Sequence, residues 1–98
     1  MQKYYYLVEA HGRQVLVRKG EDSDDNPAIQ FVTHTDDGAE MSFGLNFEPK
    51  EGSTEEAAEA DRDRAFEKEE ELRKMAEAYA EKLIGCVTGF DALRALQG

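Results

Sequence analysis

Carboxylates are the groups this chain carries in the numbers and spacing that chemistry would need. Glu55, Glu59, Asp63 and Glu67 follow one another at intervals of four, Glu70 lies just beyond, and Glu21, Asp22, Asp24 and Asp25 crowd one short segment. Two carboxylates perform acid–base work when burial raises one and leaves its partner ionised. Nothing in the polar sequence around these acids marks one of them for burial. Asp22-x-Asp24-x-Asn26 has the opening spacing of an EF-hand calcium loop. Pro27 then stands where the sharp-turn Gly belongs and Thr33 where the bidentate Glu belongs, so the segment reads as a solvated loop.

Nucleophiles and soft ligands are few. The histidines are His11, in a turn context, and His34, at a strand end; Cys86 is the single cysteine, flanked by apolar neighbours as a buried structural thiol would be. That set falls short of a zinc site or a hydrolytic triad, and no Gly-rich phosphate loop is present. The expectation is a non-enzymatic protein with no catalytic residue, no cofactor and no metal.

The elements that position the carboxylates follow from local pattern. Ser53 to Ile84 contains no Gly or Pro and is rich in Ala, Glu, Lys, Arg, Leu and Met, the best helix formers. Ser53-Thr54-Glu55-Glu56 fits a capping box, and Gly85 suits the left-handed position at a helix end. The pattern predicts one long helix over 53–84. Its apolar stripe runs through Ala58, Ala65, Leu72, Ala76, Tyr79 and Leu83, with Phe66 off the seam and the carboxylates opposite. At 1.5 Å per residue such a helix runs roughly 46 Å, so it either overhangs its own sheet or breaks near the middle. An overhang would present Ala58, Ala65 and Phe66 as a docking surface for a second copy.

Residues 1–48 read as sheet. Tyr4–Ala10 and Arg13–Lys19 are rich in aromatic and β-branched residues. A two-residue His11-Gly12 turn pairs Val8 with Val15 and Tyr6 with Val17 on one face, and Leu7 with Leu16 and Tyr5 with Arg18 on the other. The second face is half apolar and is expected to be partly covered. Ala28–His34 and Glu40–Phe47 form a second hairpin through Asp36-Asp37-Gly38, with Phe31 opposite Phe43 and Ile29 opposite Leu45. Thr88-Gly-Phe-Asp91 repeats the capping logic and predicts a short helix over 88–97 whose apolar side is Phe90, Leu93 and Leu96. The fold class is α+β: a four-stranded antiparallel sheet of two hairpins, packed by one long C-terminal helix and a short terminal helix, in a single domain over 1–98.

The chain's 12 basic and 22 acidic residues give a formal charge of −10. That sign opposes direct binding to nucleic acid or an anionic membrane and permits a basic protein partner. Tyr4, Tyr5 and Tyr6 lack the surrounding basic charge of a base-stacking platform. No apolar run approaches 18 residues, the start Met1-Gln2-Lys3-Tyr4 lacks a signal-peptide core, and one cysteine makes no internal disulfide. The expectation is a cytoplasmic protein of a bacterial or phage-infected cell.

In size, acidity and sheet-then-helix layout the whole chain resembles small phage-encoded inhibitors of bacterial defence, the anti-CRISPR and anti-restriction proteins. No motif carries the resemblance, and it transfers no residue. It implies a target that is a basic nucleic-acid-binding protein or complex, its groove occupied by Glu55, Glu59, Asp63, Glu67, Glu70 and the loop acids Glu21, Asp22, Asp24 and Asp25. The alternative expectation is a structural or assembly adaptor that homodimerises through the long helix at Ala58, Ala65 and Phe66.

Overall fold

The computed structural model describes residues 5–97; Tyr4, expected at the start of the first strand, lies outside the described residues. Four strands, β1 (Tyr5–Ala10), β2 (Arg13–Glu21), β3 (Pro27–His34) and β4 (Glu40–Asn46), form one antiparallel sheet in the order β1-β2-β3-β4. Three helices follow, α1 (Glu55–Phe66), α2 (Glu69–Lys82) and α3 (Gly89–Gln97). The architecture is α+β.

Both hairpin registers are those the side-chain pattern predicts. Tyr6 pairs with Val17 and Val8 with Val15, while Phe31 pairs with Phe43 and Ile29 with Leu45. His11 and Gly12 take φ of 52° and 77°, the positive pair that a two-residue turn needs to match strand twist. Gly38 takes φ of 88° in the second hairpin, closed by the Thr35 N–H on the Ala39 carbonyl at 2.9 Å. The sheet is a simple meander because β2 also pairs with β3, with Val17 opposite Phe31.

All three helices lie on one face. Tyr6, Val8, Val15, Val17, Ile29 and Phe31 meet Phe66, Leu72, Ala76, Tyr79, Leu83 and Ala92 in one buried cluster. Phe31 and Phe43 stack at 4.5 Å, and Tyr79 meets Phe43 edge-on at 4.5 Å. Each such aromatic pair contributes about 0.5–1.5 kcal/mol beyond its burial.

The long helix is two helices. Lys68, at φ −81° and ψ 62°, leaves helical geometry between Phe66 and Glu69, although no Gly or Pro is nearby. Two effects favour the break. Of the like-charge i, i+4 pairs an unbroken helix would hold, Asp63–Glu67 and Glu67–Glu71 sit at this point, each costing roughly 0.2–0.5 kcal/mol. The break also turns Phe66 from its off-seam position into the core, where it is 6 % exposed and 5.3 Å from the Tyr6 ring. Burying a Phe contributes about 1.5–3 kcal/mol, more than a lost helix hydrogen bond at about 1 kcal/mol. With the break there is no apolar overhang: Ala58 and Phe66 are buried on the chain's own sheet, and Ala65 is partly buried beside them. The surface on which a helix-mediated dimer was expected is occupied from within.

Smaller departures follow the same logic. Thr54, not Ser53, caps α1, its hydroxyl accepting from the Ala57 N–H at 3.2 Å. At α3 the capping box forms as expected: Thr88 Oγ accepts from the Asp91 N–H, and Asp91 accepts from the Thr88 N–H. The helix is turned, however, so that Ala92 is buried while Phe90 and Leu93 are 77 % and 48 % exposed. Gly89 explains the choice, since a Cβ there would lie 3.0 Å from the Ala39 side chain. The approach to the β3–β4 loop is so close that small residues, rather than Phe90, face inward. The second sheet face, expected to be partly covered, carries no helix: Tyr5 is 61 % and Leu7 51 % exposed.

Candidate partner-binding surface

The expected acidic surface depends on where the helix break and the β2–β3 loop put their carboxylates. Glu55 and Glu59 on α1 and Glu67 and Glu70 around the break are solvent-exposed. The row is interrupted at Lys68, so the acids of α1 and those beginning α2 belong to two separate helices. Asp63 keeps a half-exposed side chain, but its charge is paired with Lys19 at 3.4 Å and with Arg62 at 3.2 Å.

That same pairing brings the loop acids to the helix. Lys19 lies near the end of β2, and the Arg62 guanidinium donates to the Gly20 carbonyl at 2.9 Å. The start of the acidic loop is thus tied to the last turns of α1. Lys19 also lies over the Phe66 ring at 5.5 Å, so one ammonium serves a carboxylate and an aromatic face. Within the loop, Asp22 accepts from the N–H groups of Asp24 at 2.8 Å and Asn26 at 2.9 Å, an Asx-turn arrangement. The Asn26 N–H, chiefly, holds its carboxyl below the ordinary aspartate value. Asp25 takes φ of 63°, and Glu21, Asp24 and Asp25 remain exposed. Asp22 is thus ionised and fixed as the loop's internal staple, and the outward charge of the loop comes from its neighbours.

The cations show the complementary distribution. Arg13 donates to the carbonyls of His34 at 2.8 Å, Leu83 at 3.0 Å and Cys86 at 2.6 Å. Arg73 pairs with Glu69 at 3.2 Å and lies over the Tyr6 ring at 5.4 Å. Arg64 pairs with Asp61, and Arg18 donates to Gln30 at 2.8 Å. Together with Lys19 and Arg62, much of the chain's positive charge is committed to its own carbonyls, rings and carboxylates. Charge spacing along the helix suggests acids facing out; it gives no sign of Arg62 and Lys19 as the anchors, which requires knowing that the β2 end lies beside α1.

No other arrangement gathers chemistry. Among the described residues, no three His, Cys, Asp or Glu side chains are disposed to hold a metal ion. His11 and His34 are exposed and Cys86 is buried. An open groove of about 500 Å³ between β4, α2 and α3 is lined mostly by apolar residues, among them Phe43, Leu45, Met75, Tyr79 and Leu96, with Lys82 its one charged residue. Among the described residues no helix is long and apolar enough to cross a membrane. No protein-family model, no curated protein and no solved structure matches the chain.

Proposed function

We propose that this protein is a non-enzymatic, acidic binding module that blocks a basic, nucleic-acid-binding protein or complex. On this reading it acts as small phage inhibitors of the anti-CRISPR and anti-restriction kind act. The observation that carries the reading is the segregation of charge. Arg13, Lys19, Arg62 and Arg73 are turned to internal partners, while Glu55, Glu59, Glu67 and Glu70, Glu21 at the end of β2 and the loop acids Asp24 and Asp25 face solvent. On α1 and the start of α2 such a surface offers more exposed carboxylates than exposed cations, Arg64 and Lys68 being the cations within the row. Such a field steers a basic groove towards it, most strongly at low salt. Asp63 contributes by tying the end of β2 to α1 and Asp22 by fixing the loop internally, rather than by touching the partner.

The test is a nuclease-treated pull-down from bacterial lysate across a salt series. It compares the wild type with a Glu55→Gln, Glu59→Gln, Glu67→Gln and Glu70→Gln variant, whose circular dichroism should match the parent. A stoichiometric basic partner, released by salt and lost with the variant, supports the reading. A partner retained by the variant, or none at all, overturns it.

A further inference from the structure

The uncovered face of the sheet has a composition unlike the rest of the molecule. Its strand positions carry Tyr5, Leu7 and Glu9 on β1, Gln14, Leu16 and Arg18 on β2, and Ala28, Gln30, Val32 and His34 on β3. On β4, Glu40 and Ser42 continue the face, so Glu9, Arg18 and Glu40 are its charged strand residues in a chain of net charge −10. Leu7, Leu16 and Val32 are aligned partners across three strands; Val32 is already buried at 6 % exposure, so Leu7 and Leu16 supply the open apolar surface. Antiparallel sheets tolerate one wet face, but that face is then normally polar.

The charges around this line of apolar residues are arranged symmetrically. Tyr5 and Arg18 face each other one pleat to one side of the Leu7–Leu16 pair, and Glu9 and Gln14 one pleat to the other. Glu9 is held at its end by Gln14, whose amide donates to it at 3.1 Å. Arg18 is braced through Nε on Gln30, which leaves its two terminal nitrogens for another acceptor. Consider a two-fold axis lying in the plane between two stacked sheets and crossing the strands at the Leu7–Leu16 level. It places leucine on leucine, and it sets Arg18 of each copy over the Glu9–Gln14 end of the other. Stacked sheets lie about 10 Å apart, a gap that an Arg and a Glu extended towards each other span. Such a patch is self-complementary, as an isologous contact must be.

We infer that the open sheet face is the contact between two copies of this chain, packed sheet to sheet about a two-fold axis with reciprocal Arg18–Glu9 pairs around a Leu7 and Leu16 centre. The occupant is a second copy because this face is nearly neutral and matches itself in charge. On the outer side of α1 and α2 two copies would bring like-charged acidic surfaces together. The arrangement is independent of the acidic surface on the opposite side of the sheet, which stays exposed in the dimer. A patch of three strands by five residues spans roughly 15 Å on a side, well below a standard interface. The association is therefore weak, in the range that only high protein concentration populates.

Sedimentation equilibrium of the full chain from about 10 μM to about 1 mM brackets that range. The expected result is a monomer that passes to a dimer, with Leu7→Glu monomeric throughout and unchanged in its melting temperature, because Leu7 is half exposed in the single chain. Arg18→Glu should weaken the dimer at least about tenfold, and adding Glu9→Arg to it should restore it, as a reciprocal pair requires. A monomer at the highest concentration, a dimer indifferent to Leu7→Glu, an assembly larger than a dimer, or a charge swap without restoration would each overturn the inference.

Discussion

Arg13 donates to the carbonyl of Cys86 at 2.6 Å across 73 positions of sequence. The same guanidinium reaches the carbonyls of Leu83 and His34, so one side chain joins the first hairpin to the end of α2 and to the end of β3. The last carbonyls of a helix have no partner within it and carry partial negative charge, and a guanidinium offers them several donors in fixed geometry.

Arg13→Ala should therefore destabilise the fold by about 2–4 kcal/mol, since part-buried carbonyls lose charge-assisted bonds. Arg13→Lys, with a single ammonium, should recover less than half of that loss. Urea unfolding of both variants measures it. A loss below about 0.5 kcal/mol, the ordinary range for a surface substitution, would show that water replaces the guanidinium.

Phe66→Asp distinguishes a core residue from an interface residue. Phe66 is packed on Tyr6 and under Lys19, so a carboxylate there buries an unsatisfied charge and removes an aromatic contact. The expected result is a loss of roughly 3–5 kcal/mol with a lower melting temperature at every protein concentration. A variant that melts like the parent and differs only in mass would place Phe66 on an interface.

Among the described residues, the hydroxyls of Tyr6 and Tyr79 are buried with no hydrogen-bond partner. Tyr6→Phe and Tyr79→Phe should be neutral or stabilising by up to about 1–2 kcal/mol, because each removes a desolvated polar atom and keeps the ring. Thermal melts of the two variants test the sign; a clear decrease would reveal a partner for the hydroxyl.

The same two phenols predict the alkaline limit. Burial, with smaller opposing contributions from Glu69 and Arg73, pushes Tyr6 up to about 12, and burial raises Tyr79. A raised phenol favours its neutral form in the folded state. Its contribution is therefore complete below the unfolded value of 10.0 and is lost as pH rises towards about 12. Absorbance at the phenolate band should show Tyr6 and Tyr79 ionising only together with loss of the native circular dichroism signal. Titration of these two before unfolding would contradict the packing of α2 on β1.

The acid limit is set at the other end of the molecule. The Thr88 and Val87 N–H groups hold Asp91 below its ordinary 3.8, and the Thr35 hydroxyl holds Asp37 low. Depressed carboxyls stabilise fully above their unfolded value and lose that effect as pH falls through the folded one. The α3 segment should detach below about pH 3.8 ahead of the sheet, seen as early loss of amide protection in 89–97. In Asp91→Asn that early phase should disappear into a constant, weaker protection; an unchanged acid profile would separate α3 docking from its cap.

How much of this was legible in the sequence varies by element. Strand alternation and turn chemistry determine both hairpin registers, because a one-residue slip would send Phe43 and Leu45 to the wrong face and His11-Gly12 closes only one pairing. The α3 capping box and the high helix propensity of 55–82 are likewise local properties. The acids' outward direction is largely a local matter too, since it follows from helical period. Tertiary structure decided the rest. The break at Lys68 follows no local breaker; it arises because an unbroken helix would leave Phe66 off the sheet and keep like charges in contact. Asp63 is paired from outside its own helix only because the end of β2 brings Lys19 and Gly20 to α1. Phe90 faces out only because Gly89 lies against Ala39. In each case the residue's local preference is weak, and the choice is made by which neighbour packing places beside it.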